Sequence, residues 1–350
     1  MLLFTNHVFQ ALDEQVARLN PASVVVLTDS NTVECVLPQL QSQSEAVAAA
    51  RVITVAPGDA NKNIDTVNHI WKELSSCGAT RNTLLLNVGG GVVTDMGGFA
   101  AATFKRGIRF INLPTTLLAA VDASVGGKNG INFNGLKNEI GTFREPEATI
   151  ISTEFFRTLT SAQLLEGYAE MLKHALISSE EMTSRLLAYD ITEYRDDTLL
   201  DLLRESVAVK EKYVTADPLD TGARHALNFG HTFAHTFESL AMQRQSPLSH
   251  GYAVAFGMVA AMILSHLELK CPTDWLNRYA AYVKARYGTF AFTCKDVPVL
   301  IDFMRHDKKN EAIGAISFVL LEKPGVPVIN HPVADANIPA ALDLYLDMMA

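Results

Sequence analysis

Four short runs of β-branched and aliphatic residues recur early in the chain: SVVVLTD (23–29), RVITVA (51–56), TLLLNV (83–88) and IRFINL (108–113). Stretches of helical period lie between them, such as NIDTVNHIWKELSSC (63–77) and the segment that follows the glycines at 89–91. This alternation constrains the fold more than any other feature. Parallel strands need a crossover between them, usually a helix, so the order predicts a mostly parallel sheet with covering helices. The run ATIIST (148–153) closes this α/β half.

After about residue 160 the period changes. SAQLLEGYAEMLKHALI (161–177), TLLDLLRESVAVKEKYV (198–214), GHTFAHTFESLAM (230–242) and GYAVAFGMVAAMILSHLEL (251–269) carry apolar residues at i, i+3 and i+4. A late strand pair is expected around AISFVLLE and VPVIN. The chain therefore reads as an α/β domain over residues 1–158 and a helical domain over 159–350, with a cleft as the default site.

Composition narrows the classes of function. A net charge of −9 and the lack of any lysine/arginine-rich run argue against general nucleic-acid binding. The four cysteines are scattered, with no C-x-x-C, and no export signal opens the chain. They read as reduced thiols of a cytoplasmic protein. The longest apolar run, YAVAFGMVAAMIL (252–264), is short for a bilayer span and reads as a core helix, so no membrane partner is expected.

In TLLLNVGGGVVTDMGGFAAATF (83–104) a strand runs through a glycine turn into a helix. Gly89, Gly90 and Gly91 permit close approach of backbone N–H groups to a phosphate, and a helix N-terminus favours an anion. Asp95 follows as a ribose ligand or a cap. This is not G-x-G-x-x-G, and a turn with no ligand reads equally from it. Asp29 and Asn31 end the first strong strand, where a nucleotide meets the carboxyl edge of such a sheet. The segment LPTTLLAAVDASVGGKNGINFNGLKNEIG (113–141) interleaves Thr115, Thr116, Asp122, Lys128, Asn132, Lys137 and Asn138 with glycines and apolar residues. Buried polar groups in such a loop need partners, often a ligand.

Three metal-ligand types stand out: Glu170 in EGYAEMLKHAL, His231 in NFGHTFAH and His250 in SHGYAVAFG. One carboxylate and two imidazoles form a recurrent catalytic zinc set with open positions. Any one of them alone is more often a core or capping residue. His235 lies one turn beyond His231 on the same face, as a fourth ligand or a proton-transfer group. Lys173, Lys210, Arg224, Lys308 and Lys309 add cations, which near a metal suit an anionic, oxygen-rich substrate.

GGGVVTDMGGFAAATFKRG, LPTTLLAAVDASVGGKNGIN, GLKNEIG, AEMLKHALI, LNFGHTFAHTFE, SHGYAVAFGM and HDKKN, in this order, closely resemble the 3-dehydroquinate synthase family of sugar phosphate cyclases over residues 24–322. The resemblance implies a Rossmann-like NAD-binding α/β domain, a helical metal-binding domain and a cytoplasmic homodimer. It implies conversion of the sugar phosphate 3-deoxy-D-arabino-heptulosonate 7-phosphate to 3-dehydroquinate and phosphate, a step of the shikimate pathway to aromatic amino acids. Its cofactors are NAD and zinc or cobalt. In that chemistry NAD takes a hydride, phosphate leaves by β-elimination, the hydride returns, and ring opening and aldol closure follow.

Carried over by position, Glu170, His231 and His250 match the family's metal ligands. Arg106, Asp122, Lys128, Lys137, Asn138, Lys173, Lys210, Arg224, Asn228, His235 and Lys308 match substrate-pocket positions. Asp29, Asn31, Asp59, Lys62, Gly90, Gly91, Asp95, Thr115, Thr116 and Thr158, with Lys128 and Lys137, match cofactor positions. Asp59, Asn129, His174 and Tyr252 depart from common family residues without removing a ligand. Competing readings are a related cyclase such as 2-deoxy-scyllo-inosose synthase, a polyol or iron-type alcohol dehydrogenase, and a non-catalytic NAD-binding protein.

Overall fold

The computed structural model describes residues 1–305, 316–334 and 336–350. The chain divides into two compact units, residues 1–167 with 193–207, and 168–192 with 208–350.

The first unit is built on a six-stranded parallel sheet. Its strands are β1 (Leu2–Phe4), β2 (Ser23–Asp29), β3 (Arg51–Val55), β4 (Thr83–Gly89), β5 (Arg109–Pro114) and β8 (Ala148–Ile151), in the order β1-β8-β5-β4-β2-β3. Side chains alternate across it. Val25, Leu27 and Leu85 pack on one face with Val67, Ile70 and Met96 from the covering helices. Val26, Leu84, Leu86 and Val88 pack on the other with Leu12, Leu40 and Val47. Burial on both faces explains why β4 reads as a near-continuous apolar run. Asn87 interrupts that run, and its Nδ2 donates to Asn112 Oδ1 of β5 at 2.9 Å. The helix Gly91–Thr103 passes over it at Gly97, where a Cβ would stand 2.0 Å from Asn87 Oδ1.

After β3 the chain returns to the opposite side of β2 to form β4, so the strand order reverses between these two neighbours. In open α/β sheets ligands bind at the carboxyl ends of strands at such a reversal. Asp29 and the Gly89–Gly91 turn both lie at those ends.

The segment 113–141 departs from the loop expected of it. It forms a π-helical turn (Ala119–Ala123) and an antiparallel hairpin, β6 (Lys128–Phe133) with β7 (Leu136–Phe143). The apolar residues of the hairpin, Ile131, Phe133, Leu136, Ile140 and Phe143, keep no strict period-2 alternation, which hides the strands in the sequence. Gly141 lets the strands close up, since a Cβ there would be 2.3 Å from the Asn129 carbonyl oxygen.

The second unit is mainly helical, with one hairpin, β9 (Ser317–Lys323) and β10 (Val326–Pro332). At its centre is the helix His250–Leu269, which runs beyond the apolar stretch marked in the sequence. By length and composition alone it is apolar enough to cross a bilayer, and it is buried along most of its length. It packs against helices His231–Gln243, Thr273–Tyr287 and Asn337–Met349 and against β9. Ser265 Oγ accepts the Leu321 N–H at 3.0 Å, and the Phe233 and Phe318 rings lie 5.2 Å apart.

Candidate active site

Within the second unit, Glu170, His231 and His250 come from three helices, and one ligand atom from each lies within 4.8 Å of the others. Glu170 is fully buried. Its Oε1 lies 3.6 Å from His231 Nε2 and 3.5 Å from His250 Nε2, longer than ordinary hydrogen bonds. Its other oxygen faces the buried Lys173 ammonium as an ion pair. Burial pushes the Glu170 carboxyl up, but Lys173, His231 and His250 outweigh it and hold it well below the usual carboxylate range.

Both imidazoles are held from behind. His231 Nδ1 meets the Phe229 carbonyl at 3.2 Å, and His250 Nδ1 meets Glu238 Oε1 at 3.4 Å. Acceptors on both Nδ1 atoms favour tautomers whose Nε2 lone pairs face Glu170. Desolvation lowers the His250 imidazole, but Glu170 and Glu238 more than offset it and raise it to about 9. One carboxylate oxygen and two Nε2 atoms converging without an ordinary hydrogen bond among them fit a zinc-type ion with open positions. Such an ion displaces the imidazolium proton on binding. His235 stands beside this set, its ring centroid 5.7 Å from His231 and 6.5 Å from His250.

Two further cations, Lys210 and Arg224, are buried in the second unit, and Asn228 is partly buried. Asp217, which motif reading missed, organises the loop that carries Arg224. Its carboxylate accepts backbone N–H groups of Thr221 (3.0 Å), Gly222 (2.7 Å) and Arg224 (3.1 Å). Arg224 also donates to the Pro218 carbonyl at 3.2 Å. The only sequence signal was the D-P-x-D-x-G turn chemistry. The bond from Thr221, reinforced by those from Gly222 and Arg224, lowers the Asp217 carboxyl from 3.8 to about 2. A depressed folded-state value stabilises above the unfolded value and is lost as pH falls through the folded one. Asp217→Asn is therefore expected to melt below the native chain by a gap that is constant above about pH 4 and narrows toward about pH 2. Thermal melts across that range check it; a gap independent of pH would assign the effect to something other than the carboxylate.

In the first unit Gly90 caps the helix Gly91–Thr103 without a side-chain bond, leaving its first N–H groups for a ligand. A Cβ on Gly90 would press on Thr116 at 3.2 Å, and one on Gly91 on Ala123 at 3.0 Å, so the cradle accepts only small residues. This fits the phosphates of a dinucleotide. Lys62, buried, pairs with Asp95 at 2.5 Å and donates to Asn138 Oδ1. Asn138, expected among substrate positions, thus joins two residues expected at the cofactor.

Asp29 caps a short helix, accepting from the Asn31 and Thr32 N–H groups, both at 2.9 Å. Asp59 accepts from Asn132 Nδ2 at 3.0 Å. Thr115 donates its N–H to the Gly89 carbonyl, Thr116 Oγ1 accepts from Ala119 N–H, and Thr158 Oγ1 donates to the Phe155 carbonyl. Asp122 is partly buried in the π-helical turn. Arg106, Lys128 and Lys137 are exposed, Arg106 on a left-handed turn at φ +68°. Lys308 lies outside the described residues.

The 3-dehydroquinate synthase N-terminal family matches residues 52–166, and the 3-dehydroquinate synthase C-terminal family matches 167–310. The chain belongs to the 3-dehydroquinate synthase family. A 3-dehydroquinate synthase of Parabacteroides distasonis is 47% identical over 95% of this chain and 94% of its own. One from Leptospira interrogans is 36% identical over 95% and 91%. Its function is the family's: conversion of 3-deoxy-D-arabino-heptulosonate 7-phosphate to 3-dehydroquinate and phosphate. Solved structures share the fold. A 2-deoxy-scyllo-inosose synthase complexed with carbaglucose-6-phosphate, NAD+ and Co2+ superposes with a TM-score of 0.85 at 21% identity, covering 97% of this chain and 95% of that one. A 2-epi-5-epi-valiolone synthase from Streptomyces hygroscopicus subsp. jinggangensis, with NAD+ and Zn2+ bound, gives 0.83 at 22%, covering 99% and 96%.

Proposed function

We propose that the chain catalyses its family's reaction with NAD and one divalent ion, zinc or cobalt, as a cytoplasmic homodimer acting on a small sugar phosphate. The observation that carries this is the convergence of Glu170, His231 and His250 from three helices. When bound, NAD supplies a reversible hydride acceptor and the metal a Lewis acid. Glu170, His231 and His250 hold the metal. Asp29, Asn31, Asp59, Lys62, Gly90, Gly91, Asp95, Thr115, Thr116 and Thr158 hold NAD in a domain ending near residue 158, with Lys128 and Lys137 serving cofactor and substrate.

The buried cations Lys173, Lys210 and Arg224 bind the substrate's anionic groups, where low dielectric strengthens each contact and Arg224 offers a bidentate fork. Arg106, Asp122, Asn138 and Lys308 complete the substrate set. His235, within a turn of His231, moves protons to and from the substrate, and Asn228 orients it. Exposed Phe133, Leu136 and Phe143 on the β6–β7 hairpin support a self-association surface.

The test supplies the purified chain with NAD, zinc and the heptulosonate phosphate. Phosphate release without net NADH accumulation is expected. Net NADH would indicate a dehydrogenase, and no release from metal-loaded protein sinks the reading.

A further inference from the structure

We infer that Glu238 is a positioning residue for His250, fixing the ring orientation and basicity of that metal ligand. This rests on the proposed metal site and extends it beyond the three ligands. Glu238 and His231 share the helix His231–Gln243, two turns apart and on one face. One helix thus presents a ligand at its first turn and, further along, a carboxylate to the ligand of the next helix. His250 Nδ1 lies 3.4 Å from Glu238 Oε1, while its Nε2 lies 3.5 Å from Glu170 Oε1. The two ring nitrogens are engaged on opposite edges, as a ligand imidazole requires.

The two histidines differ in what holds them. His231 is buried, and its Nδ1 faces the Phe229 carbonyl two residues away, so local backbone sets its ring. The His250 side chain is 32% exposed and begins its helix, where Ser249 makes no side-chain cap. No backbone carbonyl holds its Nδ1 among the described contacts; the Glu238 carboxylate, itself 11% exposed, takes that place. A carboxylate behind an imidazole selects the Nδ1–H tautomer and makes Nε2 a stronger donor to a cation.

The experiment compares the native full-length chain with Glu238→Gln, Glu238→Ala and His250→Ala. Zinc affinity is read by chelator competition, cobalt binding by visible absorption, and the metal-free fold by thermal melting. Glu238→Ala is expected to bind zinc roughly 10–100-fold more weakly and to shift the cobalt bands. Glu238→Gln, whose amide oxygen still accepts from Nδ1–H, is expected to recover part of the affinity. His250→Ala loses more than either. Native affinity and native cobalt bands in both Glu238 variants overturn the inference while leaving the metal site standing. A lower metal-free melting temperature with unmoved bands also overturns it, because that marks a purely structural role. A native chain that binds no stoichiometric metal overturns this inference and the proposed metal site together.

Discussion

Replacing His250 by alanine is expected to strip the chain of its metal and of its turnover together. The triad supplies one oxygen and two nitrogens, the minimum protein set of a catalytic zinc site. Removing His250 leaves a buried carboxylate and one imidazole, with the Lys173 ammonium beside Glu170 to take over the electrostatic role of the ion. The loss of affinity should exceed the roughly 10–100-fold that accompanies changes behind a ligand. Metal content after gel filtration and phosphate release from the heptulosonate phosphate measure the two effects. An active, metal-free His250→Ala chain would refute the assignment of His250.

The second large effect is expected at Gly257, where the helices that carry His231 and His250 cross. A Cβ there would lie 2.4 Å from the Gly230 carbonyl oxygen and 2.7 Å from the Ala234 nitrogen. Both are backbone atoms at the start of the helix His231–Gln243, so no side chain can swing aside. Gly230 answers from the other helix: at φ +79°, its own Cβ would meet Met258 N at 2.9 Å. The two glycines bring together the helices that carry His231 and His250. In an isolated helix, alanine would gain about 1 kcal/mol over glycine. Here the helices must part, and overpacking costs about 1–3 kcal/mol or more. Gly257→Ala should therefore lower stability by about 2 kcal/mol in denaturant titration and weaken zinc binding as the histidines separate. A variant as stable as the native chain would show that this crossing tolerates a methyl group.

Much of the architecture was legible before any coordinates. The runs at 23–29, 51–56, 83–88, 108–113 and 148–153 became five of the six sheet strands, because parallel strands covered by helices read as near-continuous apolar stretches. The long helices of the second half followed from their 3.6-residue period. The segment 113–141 was misread as a polar loop because its apolar residues fall at uneven spacings among polar residues and glycines. Gly135, at φ +79°, makes the turn between β6 and β7 with Asn134, and Gly130 and Gly141 let the two strands approach. Asp217 and Glu238 were missed for a related reason. Glu238 acts on a ligand of another helix, which leaves no spacing signature, and Asp217 acts on backbone N–H groups, which leave only ordinary turn chemistry.

The histidine pair separates the two kinds of knowledge. Periodicity determined that His231 and His235 share a helix face, and family resemblance named His231 as the ligand. Spacing alone could not choose between them, because residues four apart are nearly equivalent on an isolated helix. Only the tertiary structure brings Glu170 and His250 to the Nε2 of His231, while the local backbone at Phe229 puts a carbonyl behind its Nδ1. Ligand atoms carried by three helices meet only when those helices pack, and the approach of the two that carry His231 and His250 is set by Gly230 and Gly257, which allow backbone against backbone.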